Sequence, residues 1–129
     1  MSKARQKGTT AETAVVNYLN ERGLQCVRNP LQGAKDKGDI NILSLPVVVE
    51  VKNCARMELS EWVKEANKES ENAKASVGVV WHKKKGTTDP GSWYVTMDGE
   101  SFTKLLQTFK HYQESLDSRR TLMTGFVHS

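Results

Sequence analysis

Three residues of this chain could do chemistry together: Asp39, Glu50 and Lys52. Glu50 and Lys52 lie in the run Val47-Val48-Val49-Glu50-Val51-Lys52, whose β-branched residues favour a strand. Side chains alternate along a strand, so Val48, Glu50 and Lys52 share one face and Val47, Val49 and Val51 the other. Burying two charges unpaired is costly, so Glu50 and Lys52 need partners or a task. Asp39 follows Gly38 and opens the preceding run, Asp39-Ile40-Asn41-Ile42-Leu43. If the two runs pair as a hairpin, Asp39 can sit across from Glu50, which gathers two carboxylates and an ammonium. Two carboxylates can hold Mg²⁺, which retains most of its waters. An ion held there polarises a phosphoryl oxygen and makes water more acidic. A lysine beside it orients that water or offsets charge in the transition state. This is the set that phosphodiester hydrolysis requires. The competing reading is a structural salt-bridge cluster on an exposed sheet face. The ten-residue interval between Asp39 and Glu50, the preceding Gly38 and the strand placement favour the chemical reading.

The elements that must position these residues follow from patterning. Thr9 or Thr10 can cap a helix that runs to about Arg22 and carries Ala14, Val15, Tyr18 and Leu19 at helical spacing. Leu24 to Val27 reads as a short strand, and residues 29–38 as a loop. Ser44-Leu45-Pro46 is the hairpin turn, because proline cannot serve a central ladder. Leu59 to Ala73 is a helix with Trp62, Val63 and Ala66 on its apolar face, and its Glu/Lys side reads as a solvated surface turned away from a polyanion or toward a partner subunit. Ser76 to Trp81 is a buried strand, and Trp93 to Met97 is another. A final helix, capped by Asp98 or Ser101, spans about Phe102 to Gln113. The order α-β-β-β-α-β-β-α makes an α/β fold, a mixed β-sheet flanked by α-helices. Residues 1–129 suit one domain, with 1–8 as a basic flexible arm and about 115–129 as a loose tail.

The net charge is +4, but segment 58–71 carries −3, so the rest of the chain carries +7. A basic surface that excludes one acidic helix fits a polyanion such as DNA. Candidate phosphate contacts are Lys3, Arg5 and Lys7 in the arm, Lys35 and Lys37 in the loop before the site, Asn53 after it, and Lys83, Lys84 and Lys85 at a strand end. Each of these competes with plain solvation. Trp62, Trp81 and Trp93 read as core rather than base-stacking platforms, and His82 as a structural residue. His111 and His128 stand alone. Cys26 and Cys54 form no CxxC pair and read as reduced thiols. No apolar run reaches the roughly 18 residues of a membrane span, and the polar N-terminus lacks a secretory signal, so a cytoplasmic location is expected.

Gly38-Asp39…Glu50-Val51-Lys52 resembles the motif of the PD-(D/E)xK nuclease superfamily, with Gly38 where the pattern has proline. Lys7-Gly8-Thr9-Thr10-Ala11-Glu12, followed by a helix, resembles the opening of archaeal-type Holliday-junction resolvases, and small phage-encoded endonucleases of this type are similar. The resemblance covers roughly residues 5–98. It implies a restriction-endonuclease-like fold and a metal site made by Asp39, Glu50, the backbone carbonyl of Val51 and the first-helix Glu12. For Glu12 the helix dipole alone is a sufficient alternative reason for a glutamate at that position.

These readings converge on an Mg²⁺-dependent endodeoxyribonuclease, with Mn²⁺ as substitute and Lys52 positioning the attacking water. Branched DNA such as a four-way junction is the expected substrate, a homodimer the expected assembly, and the host cytoplasm the expected location if the chain is phage-encoded. The alternatives are a non-catalytic DNA-binding module on the same fold and a general nicking endonuclease.

Overall fold

A computed structural model describes residues 3–29 and 38–128. The chain runs α1 (Lys3–Glu21), β1 (Cys26–Arg28), β2 (Ile40–Ile42), β3 (Val47–Lys52), α2 (Leu59–Asn72), β4 (Val77–His82), a 3₁₀ turn (Pro90–Ser92), β5 (Tyr94–Thr96) and α3 (Gly99–His128). The strands form one sheet in the order β1-β2-β3-β4-β5. The β3–β4 pair is parallel and the other three pairs are antiparallel. The sheet is thus mixed and helix-flanked, as the element order implied. A parallel pair needs a crossover, and α2 supplies it.

Alternation along β3 divides the core in two. Val49 and Val51 pack with Ile40, Val77, Val79 and Trp93 against Ala11, Val15 and Leu19 of α1. On the other face Val80 packs with Trp62 and Ala66 of α2. Glu50 is the register partner of Val80, so it projects toward α2 from within the sheet. Gly78 of β4 permits the close approach of that helix. A Cβ there would collide with the Ala66 carbonyl, so any larger residue would push α2 outward.

The structure corrects three expectations. Residues 3–8 are not an arm but the first turns of α1. Lys3, Arg5, Gln6 and Lys7 are good helix formers and carry the helix back past the threonines expected to cap it. The expected loose tail from residue 115 is the continuation of α3, which reaches His128; no proline interrupts it. Asp98 caps that helix, its Oδ1 accepting the Ser101 N–H at 2.8 Å. The third correction concerns α2, whose acidic side is not wholly solvated: Glu69 is buried, and Glu65 reaches back to the sheet to pair with Lys52.

Trp62 and Trp93 are buried, and Trp81 is half-buried with its indole N–H donated to the Pro90 carbonyl. All three therefore serve the core, as expected. Both cysteines are free thiols, Cys26 buried and Cys54 exposed. Burial pushes the Cys26 thiol above its ordinary range. Among the described residues no helix is long and apolar enough to cross a membrane.

Candidate active site

The hairpin sets the first contact. Ile40 pairs with Val49, and the same register carried one residue outward places Asp39 opposite Glu50. Gly38, at φ 84°, turns the chain into β2, and a Cβ at this position would collide with a Val48 methyl. Glycine is therefore required twice over, by the backbone angle and by the space. Asp39 Oδ2 accepts the Val51 backbone N–H at 2.7 Å. That bond sets Asp39 directly against the peptide between Glu50 and Lys52. On the same strand Lys52 Nζ lies 3.4 Å from Glu50 Oε1 and 2.9 Å from Glu65 Oε2.

Glu12 approaches from α1. The Arg28 guanidinium donates from both Nε and a terminal nitrogen to Glu12 Oε2, at 3.0 and 2.7 Å. The Glu12 carboxyl also faces that of Asp39 and helps raise its pKa. On the far side Glu69 of α2 is 2% exposed and its carboxyl meets that of Glu50. The result is a row of carboxyls, Glu12, Asp39, Glu50, Glu69 and Glu65, with Arg28 at one end and Lys52 at the other.

Among the described residues these are five acids against two cations, several of them buried, and they cannot all ionise without help. Asp39 is pushed up to about 8, first by burial and then by the charge of Glu50, against the opposing pull of the Val51 N–H. Glu50 is pushed up to about 10 by burial and by its contact with Glu69, while Lys52 pulls the other way. Burial works against the charge on Lys52, yet its pairs with Glu65 and Glu50 outweigh that and hold it firmly protonated. Glu50 Oε2 is buried and receives no hydrogen bond among the described residues. A buried carboxylate oxygen without a donor fits either a shared proton or a cation. The closest group of acids lies on the α2 side: ligand atoms of Glu50, Glu65 and Glu69 all fall within 4.8 Å of one another, so this cluster could hold a metal ion. Glu12, Asp39 and Glu50 do not form so tight a group among the described residues. The expected ligands thus adjoin one another in a row, and the densest part of the row includes two glutamates that were not anticipated.

The signal for Glu65 and Glu69 was present in the helix spacing. Trp62, Glu65, Ala66, Glu69 and Ser70 follow the i, i+3, i+4, i+7, i+8 pattern of one helical face. Arg28 was also missed; nothing in the sequence ties it to Glu12 before β1 is placed beside α1.

The basic candidates separate into three groups. Lys3, Lys7, Asn53 and Lys83 line one cavity of about 430 Å³, with Trp93 in its wall. Lys52, Lys83, Lys84 and Lys85 line a second, of about 210 Å³, with Trp62, His82 and Tyr94. Lys83 borders both, and its N–H donates to the Lys52 carbonyl at 2.9 Å, so the basic run starts one residue beyond the catalytic candidates. Arg5 is exposed on α1 outside both linings. Lys35 and Lys37 lie outside the described residues. His82 is buried with Nε2 2.8 Å from Thr96 Oγ1, and burial lowers its pKa, which agrees with a structural role. No family model, no curated protein and no solved structure matches this chain.

Proposed function

We propose that this protein is a metal-dependent DNA endonuclease on a restriction-endonuclease-like fold. The observation that carries this reading is the Asp39–Val51 bond beside the Glu50–Lys52 pair. One strand and the mouth of its neighbour bring two carboxylates and an ammonium to one peptide. The buried, undonated Glu50 oxygen and the excess of carboxyls over cations among the described residues fit a divalent ion. Asp39, Glu50 and the Val51 carbonyl, with Glu12 behind them, would hold Mg²⁺ or Mn²⁺, and when bound the ion would supply Lewis acidity toward a phosphoryl oxygen and an acidified water.

The chain's own groups do the rest. Lys52 is held protonated at the edge of the row, where it can orient water toward phosphorus and offset charge on the phosphoryl oxygens. Arg28 fixes Glu12, whose carboxyl faces that of Asp39. The lysine-lined cavities on either side of Lys83 suit the sugar-phosphate backbone. Branched DNA is the preferred substrate within this reading, because strands at a crossover reach a cleft with less deformation than those of a continuous duplex. Paired nicks across a four-way junction would call for two sites in a symmetric dimer.

The experiment is cleavage of end-labelled four-way junction, flap and linear duplex of equal length, with Mg²⁺ and with a chelator. Mg²⁺-dependent cleavage of the junction is expected to survive excess linear duplex. Asp39→Asn is expected to bind junction and leave it intact. Absence of cleavage on every substrate, or an Asp39→Asn variant that cuts at the parental rate, would overturn the assignment.

A further inference from the structure

α3 has thirty residues, about 45 Å of helix, and only its beginning is seated on the domain. Ser101 is buried and Leu105 packs on the core, with α3 lying against β4. Beyond them Phe109, Tyr112 and Met123 are 66%, 60% and 70% exposed, and Phe102 and Leu106 are about half exposed. Positions 102, 105, 109, 112, 116 and 123 fall on the a and d places of a seven-residue repeat, with Arg119 at the place between 116 and 123. The stripe that starts against the sheet therefore runs on past the domain, uncovered among the described residues.

Its extent decides what it can be. These side chains, with the equally exposed Leu122, leave on the order of 600 Å² of apolar surface open on one helix, at the top of the range for the largest patch on a monomer. Two such faces together remove on the order of 1,200 Å² from water, the lower end of stable specific interfaces. A free helical extension is also marginal in water without a packed face.

We infer that α3 is a self-association surface through which two copies of this chain pair as antiparallel helices. Arg119 sets the direction. In a parallel pair identical positions meet, and two Arg119 side chains would face each other within an apolar seam. Run antiparallel with Tyr112 against Leu116 of the second copy, the same seam places Arg119 over the Phe109 ring and, along its flank, Leu122 against Thr108. The helix is then complementary to itself about a twofold axis, and Leu122, which lies off the stripe, gains a neighbour. This inference rests on α3 alone and stands apart from the question of DNA cleavage.

Light scattering on the full chain at tens of micromolar is expected to give about twice its 14.5 kDa mass. The double substitution Phe109→Glu with Tyr112→Glu is expected to give a single-chain mass. Because both positions lie beyond the domain, the near-ultraviolet signal of the buried Trp62 and Trp93 should be kept. In a Cys54→Ser background, mixing Thr108→Cys and Leu122→Cys chains under oxidation should yield the mixed disulfide. A parental chain of single mass, or a dimer that survives the double substitution, overturns the surface. A Leu122→Cys chain that cross-links to itself in place of the mixed product overturns the antiparallel direction.

Discussion

Glu50→Gln should make the metal-free protein more stable at alkaline pH while removing its chemistry. Glu50 is 4% exposed, with Oε1 3.4 Å from Lys52 and Oε2 without a donor. Its carboxyl is pushed up to about 10 by burial and the contact with Glu69, and Asp39 is pushed up to about 8 by burial and the Glu50 charge. In the unfolded chain such groups ionise near pH 4. The folded state therefore keeps protons that the unfolded state has released, and stability falls as pH rises. This contribution is complete below about pH 4 and is lost progressively as pH climbs through about 8 toward 10. An amide has no charge to bury, and its NH₂ can donate toward Glu69. Lys52 keeps its 2.9 Å pair with Glu65, so the substitution does not orphan it. The two shifts share one coupling and cannot be added in full. A gain on the order of 2–3 kcal/mol near pH 9 is a conservative share. For a domain of this size that is a rise in melting temperature of roughly 6–15 °C. The assay is thermal unfolding in chelator near pH 5 and pH 9. The difference between variant and parent should be large at the higher pH and small at the lower one. Excess Mg²⁺ should then stabilise the parent and leave the variant unchanged, as expected for loss of a ligand of the proposed ion. A variant that melts at or below the parent near pH 9 in chelator would refute the claim that Glu50 is held there at a cost to folding.

Two further outcomes separate chemistry from binding. Lys52→Ala should lower the cleavage rate by about 10²–10³, the usual loss for one positioned donor, while Mn²⁺ affinity by calorimetry stays near the parental value; loss of both in step would make Lys52 a structural counter-ion of Glu50 and Glu65. Replacing Lys83, Lys84 and Lys85 together with alanine should weaken binding to every DNA sequence and reduce the slope of affinity against salt by roughly one unit per lost phosphate contact; an unchanged slope would leave the run as a solvated strand end.

Much of the fold was legible because its signals are local. The β-branched run 47–52 is β3 residue for residue, and Ser44, at φ 71°, sits in the turn that Pro46 marked. The two ends of the chain depart from expectation for separate reasons. The basic run at residues 3–8 reads as an arm by its charge, yet Lys, Arg and Gln are good helix formers and the segment is helical. The segment after Ser115 reads as loose for its little periodicity, yet it continues α3. The tail also carried its own signal, since Phe109, Tyr112, Leu116 and Met123 keep a helical period well past Gln113.

The site was legible where one strand composes it and obscure where the topology does. Glu50 and Lys52 share a face by alternation, which needs no tertiary information. Glu65 and Glu69 enter the site only because the crossover from β3 to β4 lays α2 over that face and Gly78 lets it lie close. Their helical spacing marked them as inward with Trp62 and Ala66, but charge argued for solvent, and charge was given the greater weight. The usual rule is that buried glutamates are rare unless paired. Glu65 is partly exposed and pairs with Lys52. Glu69 lies against the Glu50 carboxyl, a contact that a shared proton or a cation favours. An acid on the apolar stripe of a helix that crosses over a strand bearing another acid therefore points inward, toward that acid, and the sequence itself can then mark the carboxyl excess that a cation would neutralise.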